Sequence, residues 1–218
     1  MPELLKRFLT SIILLPVFLY CVYLGGKYLL ILQLFFYLIC FYEIHKNSDS
    51  VKFKIISNII LFFAFYSLFS LRGNSNYSLT ILLWVLISTF LSDIGGYVFG
   101  KIFKGKKLTK ISPNKTYSGS FGSLIFSLIS LPLINFMQIY FLNELLVDLI
   151  DLKFTMLTLL ISIICQVGDL LISLFKRKLN IKDTGNFLPG HGGVLDRIDG
   201  LIFVLIFINI IKKYVYII

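Results

Sequence analysis

Between Gly168 and Gly200 the chain gathers side chains that bind phosphate or metal. Asp169 and Ser173 come first, then Lys176, Arg177, Lys182 and Asp183, a Pro189-Gly190-His191-Gly192-Gly193 turn, and Asp196-Arg197-Ile198-Asp199. If one helix runs through Arg177, then Asp169, Ser173, Lys176 and Arg177 fall at steps of three and four and line one face. That face presents a carboxylate, a hydroxyl and two cations. Asp196 and Asp199, three apart, share a face in the same way, so two helices can bring carboxylates to one point. Oxygen donors of this type suit Mg²⁺. Glycines in the intervening turn let backbone amides approach an anion closely.

A second polar block precedes this one: Ser92-Asp93-Ile94-Gly95-Gly96-Tyr97, Gly100, Lys104-Gly105-Lys106 and Ser112-Pro113-Asn114-Lys115-Thr116. Lys101, Lys104, Lys106 and Lys107 read as loop charge that orients a membrane protein and attracts anionic lipid. Lys115, inside the Ser-Pro-Asn-Lys-Thr run, reads as a binding residue.

The elements that must position these blocks are apolar. Seven runs stand out: Phe8 to Gly25, Tyr28 to Tyr42, Phe53 to Leu71, Ser78 to Gly100, Ser120 to Leu142, Phe154 to Phe175, and Leu201 to Ile218. Most approach the roughly 20 residues a helix needs to cross a bilayer. The second is short, with Gly25 and Gly26 placed to join it to the first as a bent hairpin. Leu, Ile and Phe dominate without strict alternation, which favours helices over a barrel. The expectation is an all-α polytopic membrane protein of about seven transmembrane helices, with six to eight allowed. It forms a single domain over residues 1–218 whose catalytic half is about 92–200. The first run is read as a retained span, since it lacks a small-residue cleavage site.

Composition agrees: 57% of the 218 residues are hydrophobic and 15% charged, against about 25% charged in soluble domains. The net charge of +10 sits in short loops, so it does not indicate nucleic acid, and the 22 Phe and 12 Tyr read as packing and interfacial anchors. With the N-terminus inside, 16 of the 21 Lys and Arg fall on the inner side, which predicts a cytoplasmic N-terminus. Cys21, Cys40 and Cys165 lie in apolar runs without paired spacing and read as packing residues. His45 reads as a surface histidine, and Glu43 beside it as a residue that orients its helix end.

In order, spacing and residue type, Ser173 through Asp199 resembles the signature of the phosphatidate cytidylyltransferase family. The block from Ser92 to Thr116 is similar to that family's Asp, aromatic, glycine and Ser-Pro-x-Lys-Thr sequence. One departure is Tyr117-Ser118-Gly119 where the family commonly has Trp-Glu-Gly. The resemblance implies that phosphatidate attacks the α-phosphorus of CTP to give CDP-diacylglycerol and pyrophosphate, with no covalent enzyme intermediate. It implies Asp169 and Asp196 as principal metal ligands, Asp199 and Asp93 in support, and Mg²⁺ as cofactor, with a second metal or a monovalent cation beside it. Asp169, Ser173, Lys176, Arg177, Asp196 and Asp199 are the expected catalytic set. Lys115, Ser112, Thr116, His191, Gly192, Gly193 and Arg197 are expected to bind substrate. Partners would be CTP, phosphatidate and the bilayer, with a homodimer left open, and the location a bacterial inner membrane with the site facing the cytoplasm. A related CTP-dependent enzyme on another lipid acceptor is the nearest alternative, and a transporter a more distant one.

Overall fold

A computed structural model of the chain describes residues 3–109, 112–113, 115–188 and 192–212. Among them run eight helices: α1 (Glu3–Leu24), α2 (Gly26–Asn47), α3 (Val51–Arg72), α4 (Asn76–Phe103), α5 (Tyr117–Leu128), α6 (Ser130–Leu142), α7 (Leu152–Lys178) and α8 (Leu195–Ile210). Five helical stretches are long and apolar enough to cross a membrane: α2, α3, α4, α5 with α6, and α7. The second apolar run is therefore longer than expected, because Gly26 and the polar residues through Asn47 extend its helix at both ends. Gly25 and Gly26, at φ 66° and 47°, make the expected sharp joint with α1, a conformation only glycine adopts freely.

Helix starts follow local chemistry. Ser75 and Ser78 form a reciprocal capping box at α4, the Thr116 hydroxyl accepts from the Gly119 amide at α5, and Asp151 accepts from Leu152 N at α7. Each satisfies an amide that the helix itself leaves open. The fifth run, expected to be continuous, breaks at Ile129, where Ile129 N donates to the Phe126 carbonyl. Pro132 explains the break: it has no amide for the Leu128 carbonyl and its ring crowds that oxygen.

One end of the bundle carries the joints α2–α3, α4–α5 and α7–α8; the other carries α1–α2, α3–α4 and α6–α7. At the second end Arg72 donates to the carbonyls of Val22 and, at 2.6 Å, Tyr23, so a cation closes the C-terminus of α1. The loop after α6 is held by side-chain amides: Gln138 exchanges two hydrogen bonds with the Val147 backbone, and Asn135 accepts from Leu149 N. The Ile150 amide and then the Asn135 side chain hold the Asp148 carboxyl below its usual range.

At the centre α4 packs against α5, α7 and α8. Trp84 is fully buried, donates to the Thr158 hydroxyl at 3.0 Å and meets Phe154 edge-on at 5.2 Å. Hydroxyl pairs cross between helices, Ser88 with Ser130 at 2.7 Å and Ser92 with Ser162 at 2.8 Å. Such bonds average about 0.6 kcal/mol in membranes, so they set register more than stability. Close approach matters more: Gly95, Gly96 and Gly100 of α4 face Gly119, Gly122 and Ser123 of α5. A Cβ at Gly95 would lie 2.5 Å from Phe126 Cβ. Gly95→Val is expected to lower stability in detergent by about 1–3 kcal/mol, the usual cost of overpacking, read as a fall in thermal midpoint; an unchanged midpoint would show that α4 and α5 are not seated on one another.

Candidate functional site

The polar cluster lies where α4, α7 and α8 meet the loop before α5. The close α4–α5 contact carries the Ser112 to Thr116 segment over α7. Ser112 and Lys115 close a turn through Lys115 N to the Ser112 carbonyl at 3.1 Å, and the Thr116 hydroxyl is engaged in the α5 cap. Ser118, at the departure from the family pattern, donates to the Lys104 carbonyl and shares a hydrogen bond with Thr116 at 3.0 Å. It closes the loop. From this loop Lys115 reaches Asp169 Oδ2 on α7 in an ion pair. Its Nζ is buried and finds no well-aligned hydrogen-bond acceptor among the described residues, so the ammonium keeps donors to spare.

The Asp169 side chain lies against that of Asp199 of α8, close enough for the two carboxyl groups to act on one another. Two carboxyl groups touch in this way only when a proton lies between them or a cation neutralises them. Asp93 of α4 lies near enough for the charges of Asp169 and Lys115 to act on it, and it accepts a weak hydrogen bond from the Cys165 thiol at 3.4 Å. Much of its surface is accessible although protein crowds it on most sides, the situation of a group lining a cleft. The α7–α8 approach that brings the acids together needs two small residues: a Cβ at Gly168 would lie 2.6 Å from the Phe203 ring, and one at Gly200 2.6 Å from Cys165 Sγ.

Asp196 stands one turn before Asp199 and does something different. Lys176 Nζ donates to its Oδ1 at 2.8 Å, while its Oδ2 accepts from Thr184 N at 2.8 Å, the Thr184 hydroxyl at 3.1 Å and Gly193 N at 3.2 Å. Both oxygens are occupied by the protein. Lys176 also acts on Asp199, so the charged groups form a row: Lys115, Asp169, Asp199, Lys176, Asp196.

The loop between α7 and α8 is turned back by Asn180 at φ 56°, with Ile181 N donating to the Lys176 carbonyl at 3.0 Å, a helix ending that closes open carbonyls. Ser173 is half-buried on α7, one turn past Asp169, whereas Arg177 and Arg197 are exposed. Gly192, at φ 86°, and the buried Gly193 lead into α8. His191, Pro189 and Gly190 lie outside the described residues, as does Asn114. Amides that the glycine-rich turn was expected to offer an anion are in part already engaged: Gly193 N by Asp196, and Val194 N and Leu195 N by Glu43.

Glu43 is the residue sequence reasoning missed. Read as a helix-end residue, it is 3% exposed and holds the start of α8, from 151 positions away. Its one sequence signal is an acid on the apolar body of α2. His45 is, as expected, a surface residue, bonded to the Phe41 carbonyl and stacked on its ring. Beside Lys176 an apolar pocket opens between α2, α3, α7 and α8, walled by Phe53, Ile60, Ile172 and Phe203.

A helical integral membrane protein with a charged cleft at one end is the class these features define. The chain belongs to the cytidylyltransferase family, whose sequence model matches residues 45–215. It is 43% identical over 131 residues to the phosphatidate cytidylyltransferase of Staphylococcus haemolyticus (strain JCSC1435), covering 60% of this chain and 48% of the relative. To that of Bacillus subtilis (strain 168) it is 34% identical over 167 residues, covering 75% and 60%. To that of Staphylococcus saprophyticus the figures are 37% over 180 residues, 81% and 65%. The chain thus spans about half to two thirds of the length of these relatives.

Lys176→Met is expected to lower stability by about 1–3 kcal/mol, the range for a buried hydrogen bond to a charged group. Repeating it in an Asp196→Asn background, as a double-mutant cycle in detergent unfolding, should shrink that cost. Equal costs in both backgrounds would show the pair is not coupled.

Proposed function

We propose that this chain transfers the cytidylyl group of CTP to phosphatidate, giving CDP-diacylglycerol and pyrophosphate for phospholipid synthesis. The observation that carries the reading is the contact of Asp169 with Asp199, flanked by Lys115 and Lys176, in a chain of the cytidylyltransferase family. The relatives' printed activity supports it, as does an apolar pocket beside a charged row, which suits a substrate with a phosphate head and hydrocarbon tails.

A phosphate oxygen of phosphatidate forms a bond to the α-phosphorus, and the bond from that phosphorus to the α–β bridging oxygen breaks, its electron pair leaving on pyrophosphate. Alignment and charge neutralisation are what such a displacement demands of a protein. Lys115 has buried donors to spare and is assigned to a substrate phosphate; Lys176 is held by Asp196 at the lipid-pocket side. Ser173 and Arg177 follow on the same helix, and Ser112, Thr116 and Arg197 are assigned with them to substrate binding.

Mg²⁺ is assigned to Asp169 and Asp199, with Asp93 beside them. No three His, Cys, Asp or Glu side chains among the described residues are gathered closely enough to hold a metal unaided. That fits an ion that takes one or two carboxylates and completes its shell with substrate phosphates and water. When bound, it would neutralise phosphate charge and polarise the α-phosphoryl group. Asp196, with both oxygens engaged, is assigned to positioning Lys176 and the loop.

The chain is further proposed to cross a bacterial inner membrane seven times, with α5 and α6 as one pass, α1 and α8 as the first and last, and the N-terminus and site on the cytoplasmic side. The 16 inner Lys and Arg support that orientation.

With purified protein and phosphatidate, label on the α-phosphorus of CTP is expected in lipid product and label on the γ-phosphorus in pyrophosphate. Asp169→Ala and Asp196→Ala should each reduce turnover on the order of 100-fold. Full turnover by either variant would contradict its assignment. Product with another lipid acceptor but none with phosphatidate would identify a related enzyme instead.

A further inference from the structure

Glu43 is a buried ionisable side chain that the proposed reaction does not use. It lies one turn before the end of α2, 3% exposed. Oε1 accepts from Val194 N at 2.9 Å, and Oε2 accepts from Leu195 N at 3.0 Å and from the Thr184 hydroxyl at 3.0 Å. One turn on, Asn47 donates to the Thr184 carbonyl and, at 2.7 Å, to the Glu43 carbonyl. Two glycines make room for the carboxylate: a Cβ at Gly185 would lie 2.6 Å from Oε1, and one at Gly193 2.8 Å from Oε2.

The start of α8 needs this help. Its N-cap position is Val194, which has no side chain able to accept, and it receives no cap from its own segment. An anion at a helix N-terminus meets open amides and the positive end of the dipole, and here that anion comes from another helix. Thr184 then links the two carboxylates, its hydroxyl lying within hydrogen-bond distance of both Glu43 and Asp196, which share its single proton. Since Asp196 holds Lys176 and Asp199 meets Asp169 from the same helical turn, a shift of α8's first turn would move Asp196 and Asp199 relative to Lys176 and Asp169 of α7.

We propose that Glu43 is a positioning residue for cytidylyl transfer: by fixing the backbone of residues 193–195 it holds Asp196, Lys176 and Asp199 in register with Asp169. The inference rests on the proposed function and adds to it a residue from α2, just outside the stretch 45–215 that the family model matches. Glu43→Gln keeps the volume but replaces one of the two accepting oxygens with an NH2 that cannot accept, so either Val194 N or Leu195 N loses its acceptor, while Glu43→Asp keeps the charge one methylene short.

The test is kcat and KM for CTP and phosphatidate, per folded molecule, for wild type, Glu43→Gln and Glu43→Asp, with amide hydrogen exchange over residues 184–196. For Glu43→Gln, kcat should fall about 10- to 100-fold, the range for residues that orient ligating groups, with KM for phosphatidate within about twofold. Glu43→Asp should recover part of the loss, and exchange at Val194 and Leu195 should quicken in Glu43→Gln. A role in folding alone would lower the yield of folded protein and leave kcat per folded molecule unchanged, and that result overturns the proposal. Should Glu43→Gln not fold, Thr184→Val removes the link between the carboxylates, and the same kcat loss in smaller measure is expected; wild-type kcat there overturns it. If wild type itself forms no lipid product, the functional reading falls by itself, and the clamp is judged by exchange: no change between wild type and Glu43→Gln refutes it.

Discussion

The contact between Asp169 and Asp199 is the constraint to which the surrounding structure answers. Like charges that close, with most of their surroundings protein, repel unless a proton or a cation lies between them. The rest of the cluster can be understood as compensation. Lys115 comes from the loop before α5 to one side and Lys176 stands on the other, while Asp196, Thr184 and Glu43 hold the helix that brings Asp199 in. Even the small residues obey it, since α8 reaches α7 only where Gly168 and Gly200 leave room.

Positioning is divided between two kinds of contact. Backbone approach brings α4 to α5 through facing glycines, which places the Ser112 to Thr116 turn, and Ser118 closes that loop at the Lys104 carbonyl. A short side chain at Ser118 does this where the family commonly has Glu. Charge–dipole contact governs α8, whose first amides are engaged by Asp196 and Glu43. The site therefore depends on helices from both the N-terminal and the C-terminal parts of the chain.

Much of this was legible in the sequence, and the exceptions have physical causes. Apolar length announced the helices, and steps of three and four placed Asp169 and Lys176 on one stretch of α7, with Asp199 of α8 within reach of them. The break at Ile129 was carried by Pro132, hidden in an otherwise uniform run. Spacing alone could not separate Asp196 from Asp199: both sit on one face, yet a residue's free lone pairs depend on a loop that folds back from Asn180. The glycine-rich segment raised the expectation of free amides, and the carboxylates that occupy several of them come from elsewhere. Glu43 was illegible for the plainest reason, because its partners lie 141 to 152 positions away and no local pattern records so distant a contact.

The central claim is that Asp169 and Asp199 are set together to hold a divalent cation with the nucleotide. Its most direct test is titration of the purified chain with Mn²⁺ in the presence of CTP, followed by electron paramagnetic resonance. The account predicts saturable binding by wild type, weakened about tenfold or more by Asp199→Asn and unaltered by Lys101→Ala in the exposed last turn of α4. Equal Mn²⁺ affinity in wild type and Asp199→Asn would contradict it.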